Sequence, residues 1–140
     1  VVMRNFLPFI LLVMLASCSK TEQRQKRLQG DWTVQIVRIE DGEGFMFYDS
    51  AAEGSFSFDQ GVLSGQVNYT YSYFGQYDVS DSVEFNMANF SLSADAAYIQ
   101  IARPTDTLQA KIIELTKKHL TLEYYDYLQY RLKRFSFTRI

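Results

Sequence analysis

Val67-Asn68-Tyr69-Thr70-Tyr71-Ser72-Tyr73 places an apolar or aromatic residue at every second position. Successive side chains of an extended strand point to opposite faces, so this stretch reads as a strand packed on one side and wet on the other. The same period runs outward from it. Phe56 and Phe58 alternate with Ser55 and Ser57, and Val83, Phe85 and Met87 alternate with Ser82, Glu84 and Asn86. Phe90 and Leu92 alternate with Ser91 and Ser93, and Leu120, Leu122 and Tyr124 with Thr121 and Glu123. Strands are expected over 31–40, 53–59, 62–73, 77–87, 89–94, 97–102, 106–115, 119–126 and 128–138. Turn residues stand between most of them: Asp59-Gln60-Gly61, Phe74-Gly75, Ser93-Ala94-Asp95, Arg103-Pro104-Thr105-Asp106 and Thr116-Lys117-Lys118. Residues 41–52 form the longest gap.

Eight or nine short antiparallel strands predict an all-β domain, a sandwich or a barrel. The hairpin-length gaps favour a meander, hence an antiparallel up-and-down β-barrel of about eight strands over residues 30–140. Closing the sheet also removes edges, a liability for strands this apolar.

The chain has 140 residues, which suits one domain. Its 47% hydrophobic content excludes a disordered chain, and a single cysteine excludes an internal disulfide. A net charge of -2 argues against nucleic acid as a partner.

The first residues read as an address. Met3 is the expected start, Arg4 supplies a positive charge, and Phe6 to Leu15 is an almost unbroken apolar run. Ten residues fall well short of the ~20 a spanning helix takes, and match the core of a secretory signal peptide. Leu15-Ala16-Ser17-Cys18 follows. This resembles the lipobox of bacterial lipoproteins, in which the cysteine sulfur takes a diacylglycerol and small residues precede the cut. The resemblance implies a signal peptide at 1–17, a lipidated Cys18 and a membrane anchored through N-terminal acyl chains. More than one chain gives stable anchoring. Ser19 in place of Asp fits the outer membrane, and the absence of an acidic run after Cys18 points to its periplasmic face. Residues 18–29 then read as a polar tether with one apolar residue, Leu28, and a helical turn at 22–28.

Leu28-Gln29-Gly30-Asp31-Trp32 opens the first strand. A Gly-x-Trp at that place, followed by a meander, resembles the lipocalin and calycin pattern. Leu115-Thr116-Lys117-Lys118-His119-Leu120-Thr121-Leu122 and the closing strand from Tyr130 to Arg139 resemble the lipocalin-like lipoproteins of Bacteroidetes. The resemblance implies that Trp32 plugs the closed end of the barrel under a basic residue of the last strand, Arg139 or else Arg134. It also implies a cup for a small apolar ligand.

Several residues are candidates for such a site, each with a plain packing alternative. Tyr69, Tyr71 and Tyr73, with Phe85, line a pocket or fill the core. Phe45, Met46, Phe47 and Tyr48, behind Asp41-Gly42-Glu43-Gly44, make a lid or docking surface, or a satellite strand on the barrel. Tyr124, Tyr125 and Tyr127 make a rim, or clamp neighbouring strands. His119, the lone histidine, stands in a turn with no partners spaced to hold a metal. There is no nucleophile elbow and no Gly-rich phosphate loop, so neither an enzyme nor a cofactor is expected. The sequence therefore supports two functions: an envelope lipoprotein binding a small apolar or amphipathic ligand, or a filled barrel docking on an envelope protein.

Overall fold

The computed structural model describes residues 20–140. The expected signal peptide and Cys18 lie outside the described residues. A helix, α1, covers residues 20–28. Nine strands follow: β1 (Gly30–Glu40), β2 (Met46–Asp49), β3 (Glu53–Asp59), β4 (Val62–Tyr73), β5 (Tyr77–Leu92), β6 (Tyr98–Ala102), β7 (Thr107–Leu115), β8 (His119–Asp126) and β9 (Arg131–Arg139).

From β3 onward each strand pairs antiparallel with the next, and β9 returns to pair with β1 from Trp32 to Glu40. The sheet is therefore closed. β2 and β3 share one edge of β1: β3 pairs with Gly30–Thr33 and β2 with Val37–Glu40. They act as two halves of one broken strand, which gives the barrel eight wall positions. Asp49 holds the break. Its carboxylate accepts from the Ala51 N–H at 2.8 Å and from the Thr70 N–H of β4 at 2.7 Å.

Two departures from the expected strands have clear causes. The gap at 41–52 contains β2, because Phe47 packs on the core from a position beside Ile39. The strands expected at 77–87 and 89–94 are one strand. Met87 takes a positive φ of 50°, and the inward parity switches there from Val83 and Phe85 to Ala88 and Phe90. Met87 itself turns out to solvent.

Two glycines let the wall bend. Gly54 (φ 123°) and Gly65 (φ 134°) lie in the β3–β4 ladder, opposite Val67 and Phe56 respectively. A Cβ on Gly54 would collide with the Gln66 carbonyl, and one on Gly65 with that of Ser55. The strands approach more closely here than side chains allow, as at a barrel corner.

Inward residues of all the long strands form one core, and its rings meet across the centre. Phe56 of β3 lies 5.3 Å from Phe137 of β9 and 5.5 Å from Phe85 of β5, and Tyr69 lies 5.8 Å from Phe135. A small apolar void of about 20 Å³ lies among Phe56, Leu63, Ile101, Leu122 and their neighbours, room for about one water. The deep cup implied by the family resemblance is therefore filled with side chains.

The closed end is built around Trp32, which is fully buried and donates from Nε1 to the Leu28 carbonyl at 2.7 Å. The Arg139 guanidinium lies over its ring, 4.2 Å from the centroid. Arg139 also donates to the carbonyls of Lys117 (2.9 Å), Gln29 (2.6 Å) and Arg27. A Cβ on Gly30 would strike that guanidinium, so the glycine of Gly-x-Trp makes room for the arginine. Arg134, the other basic candidate, pairs instead with Glu123 at 2.6 Å.

Residues 20–29 are largely exposed and contain the helical turn expected at 22–28, but they are held to the barrel rather than free of it. α1 lies on the barrel end, with Leu28 fully buried and Arg24 donating to the Ala96 carbonyl at 2.8 Å. One apolar side chain suffices because the barrel end supplies the rest of the apolar contact.

Gly65→Ala is expected to cost about 2 kcal/mol or more, since it adds a clash to an unfavourable φ. Gly75→Ala, in a β4–β5 turn with open space around it, is expected to cost about half as much. Urea unfolding measures both; equal midpoints for the two variants would refute the corner assignment.

Candidate binding site at the barrel mouth

The strands run so that the turns at 41–45, 74–76, 103–106 and 127–130 share the end opposite Trp32. The wall is incomplete there. β5 is sixteen residues long, but β6 pairs only with Phe90–Leu92. The upper half of β5 therefore stands away from the β6–β7 turn. A cleft of about 780 Å³ opens in the gap.

Val83, Phe85, Leu108 and Tyr124 line both this cleft and the small apolar void beneath it. They form its floor. Tyr125, Tyr127 and Leu128 stand along the β8–β9 side. Asp81, Glu84, Arg103, Asp106, Asp126 and Lys133 supply the charged lining. The site is thus apolar below and charged above.

Lys133 organises the charged wall. It occupies an inward position in β9, in phase with Phe135 and Phe137, and is only 2% exposed. An inward lysine must find partners. Its Nζ lies 2.9 Å from Asp126 Oδ2 and 3.2 Å from Asp81 Oδ2, over the Tyr69 ring. Asp81 also accepts from the Tyr69 hydroxyl (3.2 Å), the Gln129 amide (3.0 Å) and the Ser82 N–H (2.8 Å). Asp126 accepts from the N–H groups of Leu128 and Gln129, which folds the β8–β9 turn back on itself. Among the described residues no buried side-chain polar atom lacks a partner.

These contacts set the protonation states. Burial works against the charge on Asp81, but the Ser82 N–H, the Gln129 amide and Lys133 outweigh it and hold the carboxyl below its ordinary range. Burial is likewise outweighed at Asp126, mainly by Lys133. Burial works against the charge on Lys133, but the carboxylates of Asp126 and Asp81 outweigh it and hold the ammonium above its ordinary range. Burial and the Asp81 charge push the Tyr69 phenol far up, so it remains a donor. Tyr124 is also raised, chiefly by burial.

The sequence-derived candidates fall in three places. Tyr124, Tyr125, Tyr127 and Phe85 line the cleft. Tyr69, Tyr71 and Tyr73 do not, which corrects their reading as ligand-lining. Tyr69 and Tyr71 are buried in the core, and Tyr69 reaches the site through Asp81 and Lys133. Tyr73 stacks with Phe47 at 5.2 Å and Tyr77 at 5.3 Å. The Phe45–Tyr48 segment is no lid over the cleft, because β2 is hydrogen-bonded along β1. Phe45 and Phe47 instead join Phe74 in an aromatic cluster, at 4.9 and 5.3 Å. Met46 and Tyr48 are exposed beside them.

His119 is exposed. Among the described residues no group of His, Cys, Asp and Glu is arranged to hold a metal ion. Trp32 and Arg139 belong to the closed end, away from the cleft. Lys133 and Asp81 were missed as site residues. Their signal was present: each is a charge at the inward phase of an alternating strand.

No family model matches this chain, and no curated protein matches it. Among solved structures it is similar to a deswapped triple mutant of bovine odorant binding protein. The identity is 12%, over 81% of this chain and 74% of that one, with a TM-score of 0.39. The barrel assignment rests on the strand pairing itself.

Lys133→Met is expected to destabilise the protein at pH 7 by on the order of 3 kcal/mol, because two carboxylates lose their shared cation. Asp81 and Asp126 are held low in the folded state, so their contribution is present above their unfolded pKa, about 3.9, and is lost as pH falls through the lower folded values. The deficit of the variant should therefore shrink as pH falls below about 4. Urea unfolding of both proteins at pH 7 and at low pH measures it. A deficit independent of pH contradicts the ion-pair assignment.

Proposed function

We propose that this chain is a lipid-anchored envelope protein whose barrel binds a small amphipathic molecule at its mouth. The observation that carries the binding reading is the cleft of about 780 Å³, apolar below and charged above. Small-molecule sites occupy roughly 300–1,000 Å³ and combine an apolar lining with a few placed polar groups. The apolar part of a ligand would rest on Val83, Phe85 and Leu108, with Tyr124 and Tyr125 beside it. Its polar end would meet the upper wall. There Asp81, Asp106 and Asp126 face two cations, Arg103 and Lys133. Arg103 is occupied by Asp106 in a bidentate pair at 2.6 Å, and Lys133 by Asp81 and Asp126. The surplus of carboxylates favours a cationic or hydroxyl-rich group over an acid.

Anchoring rests on the residues before the barrel. Arg4, the Phe6–Leu15 run and Leu15-Ala16-Ser17-Cys18 support acylation of Cys18. Ser19 and the mixed charges that follow support the periplasmic face of the outer membrane over the cell surface. A second reading, docking on an envelope protein, is favoured by the aromatic rim outside the cleft. Phe45, Met46, Tyr48, Phe74 and Tyr77 are each about half exposed there.

Native mass spectrometry of protein gently extracted from its membranes tests the first reading. A bound species of small-molecule mass is expected. Leu108→Trp, which fills the floor, is expected to weaken its retention at least tenfold, the scale of losing one well-buried apolar contact. If the parent carries nothing and a photo-crosslinker at Met46 captures one protein, the docking reading replaces it. For the anchor, Cys18→Ala should leave the precursor unacylated and release the protein from the membrane fraction. Unchanged fractionation of that variant would remove the lipobox reading.

A further inference from the structure

Charge is divided along the barrel axis. At the closed end Lys20, Lys26, Arg27, Lys117 and Lys118 are exposed. Arg24 and Arg139 lie beneath them, bonded to backbone carbonyls. Five carboxylates share that end: Glu22, Asp31, Asp59, Asp95 and Glu114, against seven Lys and Arg. The mouth has the opposite balance. Its strand ends and turns carry Glu40, Asp41, Glu43 and Asp78 in addition to Asp81, Asp106 and Asp126 of the cleft. The cations there are Arg38, Arg103, Arg131, Lys133 and Arg134, of which Lys133 is buried and Arg134 is paired with Glu123.

The basic face is one surface. Arg139 bonds the carbonyl of Lys117 and those of Gln29 and Arg27, so the β7–β8 turn lies against the end of α1. Lys117 and Lys118 therefore sit beside Arg27. In sequence, Cys18 precedes Lys20, the first described residue of α1, by only two positions.

We infer that the closed end is a docking face for an anionic phospholipid surface, with the mouth turned away from the bilayer. Two residues span at most about 7 Å. An acyl group on Cys18 would therefore hold the Lys20 end of the basic face within a Debye length of the headgroups, ~8 Å at physiological salt; Lys117 and Lys118, at the far end of α1 and roughly 10 Å further on, reach them when the barrel end lies along the leaflet. Basic groups that close to an anionic leaflet are attracted to it. The acidic mouth is repelled, and both forces turn the barrel in the same sense. β1 has eleven residues, which at ~3.3 Å each put the mouth roughly 30 Å from the closed end. The short connection thus keeps the mouth clear of the membrane. The inference draws its anchor from the lipoprotein reading above and is independent of the ligand.

The test uses the acylated protein in phosphatidylcholine vesicles with and without phosphatidylglycerol. A membrane-impermeant, amine-reactive reagent labels the exposed lysines, and mass spectrometry reads the rate at each one. Lys111, exposed on the barrel wall, is the internal reference. In anionic vesicles Lys117 and Lys118 are expected to react about tenfold more slowly than Lys111, and high salt should remove the difference. In neutral vesicles all three should react alike. The Lys117→Glu/Lys118→Glu variant should leave Lys26 as reactive in anionic vesicles as in neutral ones. Equal rates at Lys117, Lys118 and Lys111 on vesicle-bound protein in anionic lipid overturn the inference while leaving the anchor intact. Failure to float with neutral vesicles is a failure of the anchor, and failure to float with anionic ones as well overturns the basic face too. Protection that appears in neutral vesicles only when envelope proteins are added overturns the lipid surface in favour of an acidic protein.

Discussion

The contact between Trp32 and Arg139 closes this barrel. The two are direct partners in the β1–β9 ladder, so their contact fixes the register that joins the last strand to the first. A slip of one residue would turn every inward ring of β9 to solvent. Arg139 also satisfies the backbone carbonyls of Arg27 and Gln29 at the end of α1. Carbonyls at a helix C-terminus have no partner within the helix, and a cationic side chain is a favourable one. One guanidinium thereby fixes strand register, covers the indole and seats the helix. Gly30 follows from this, because only a residue without a side chain leaves room for it.

The two ends of the barrel differ because of what stands at the inward positions. Below, the phase is filled by rings and branched aliphatics, which pack to near-completion. Above, Asp81 and Lys133 take positions in phase with Val83 and Phe135. Charges cannot pack against rings without partners, and a buried ion pair adds little stability over an apolar filling of the same shape. The group at the mouth therefore does not hold the fold together in the way the rings do. It keeps the upper interior polar and open where an apolar filling would close it.

Much of the fold was legible because a closed sheet displays its period in the chain. Val67–Tyr73 and Leu120–Tyr124 read directly as strands. The failures have local causes. β2 was legible only as an alternative, the satellite strand at Phe45–Tyr48, because that run is apolar throughout and shows no alternation. The break at Met87 reversed the phase of a continuous strand and made it look like two. α1 looked free of the barrel because Leu28 alone marks its contact with it. The site was less legible than the fold. Alternation tells which side of the wall a residue faces, but its height depends on strand tilt and stagger, which are properties of the closed barrel. Tyr69 and Phe85 face the same interior, yet Phe85 borders the cleft and Tyr69 lies behind Asp81.

Most turns of the mouth are tied by their own carboxylates. Asp41 accepts from the N–H groups of Glu43 and Phe45, which folds the β1–β2 turn. Arg103 and Asp106 clasp the β6–β7 turn, and Asp126 folds the β8–β9 turn while holding Lys133. Three of the four mouth turns are thus tied by a carboxylate within the turn or at its edge. A site whose walls are already ordered spends little of its interaction free energy on ordering them when a ligand arrives. The exposed aromatics at Phe74 and Tyr77 border the fourth turn, where no such carboxylate clasp is present among the described contacts. The fourth turn is held instead by the Gln76 N–H to Tyr73 carbonyl bond, 3.0 Å, and by the packing of Phe74 on Phe45, Phe47 and Tyr73, so aromatic contact does there what carboxylates do at the other three.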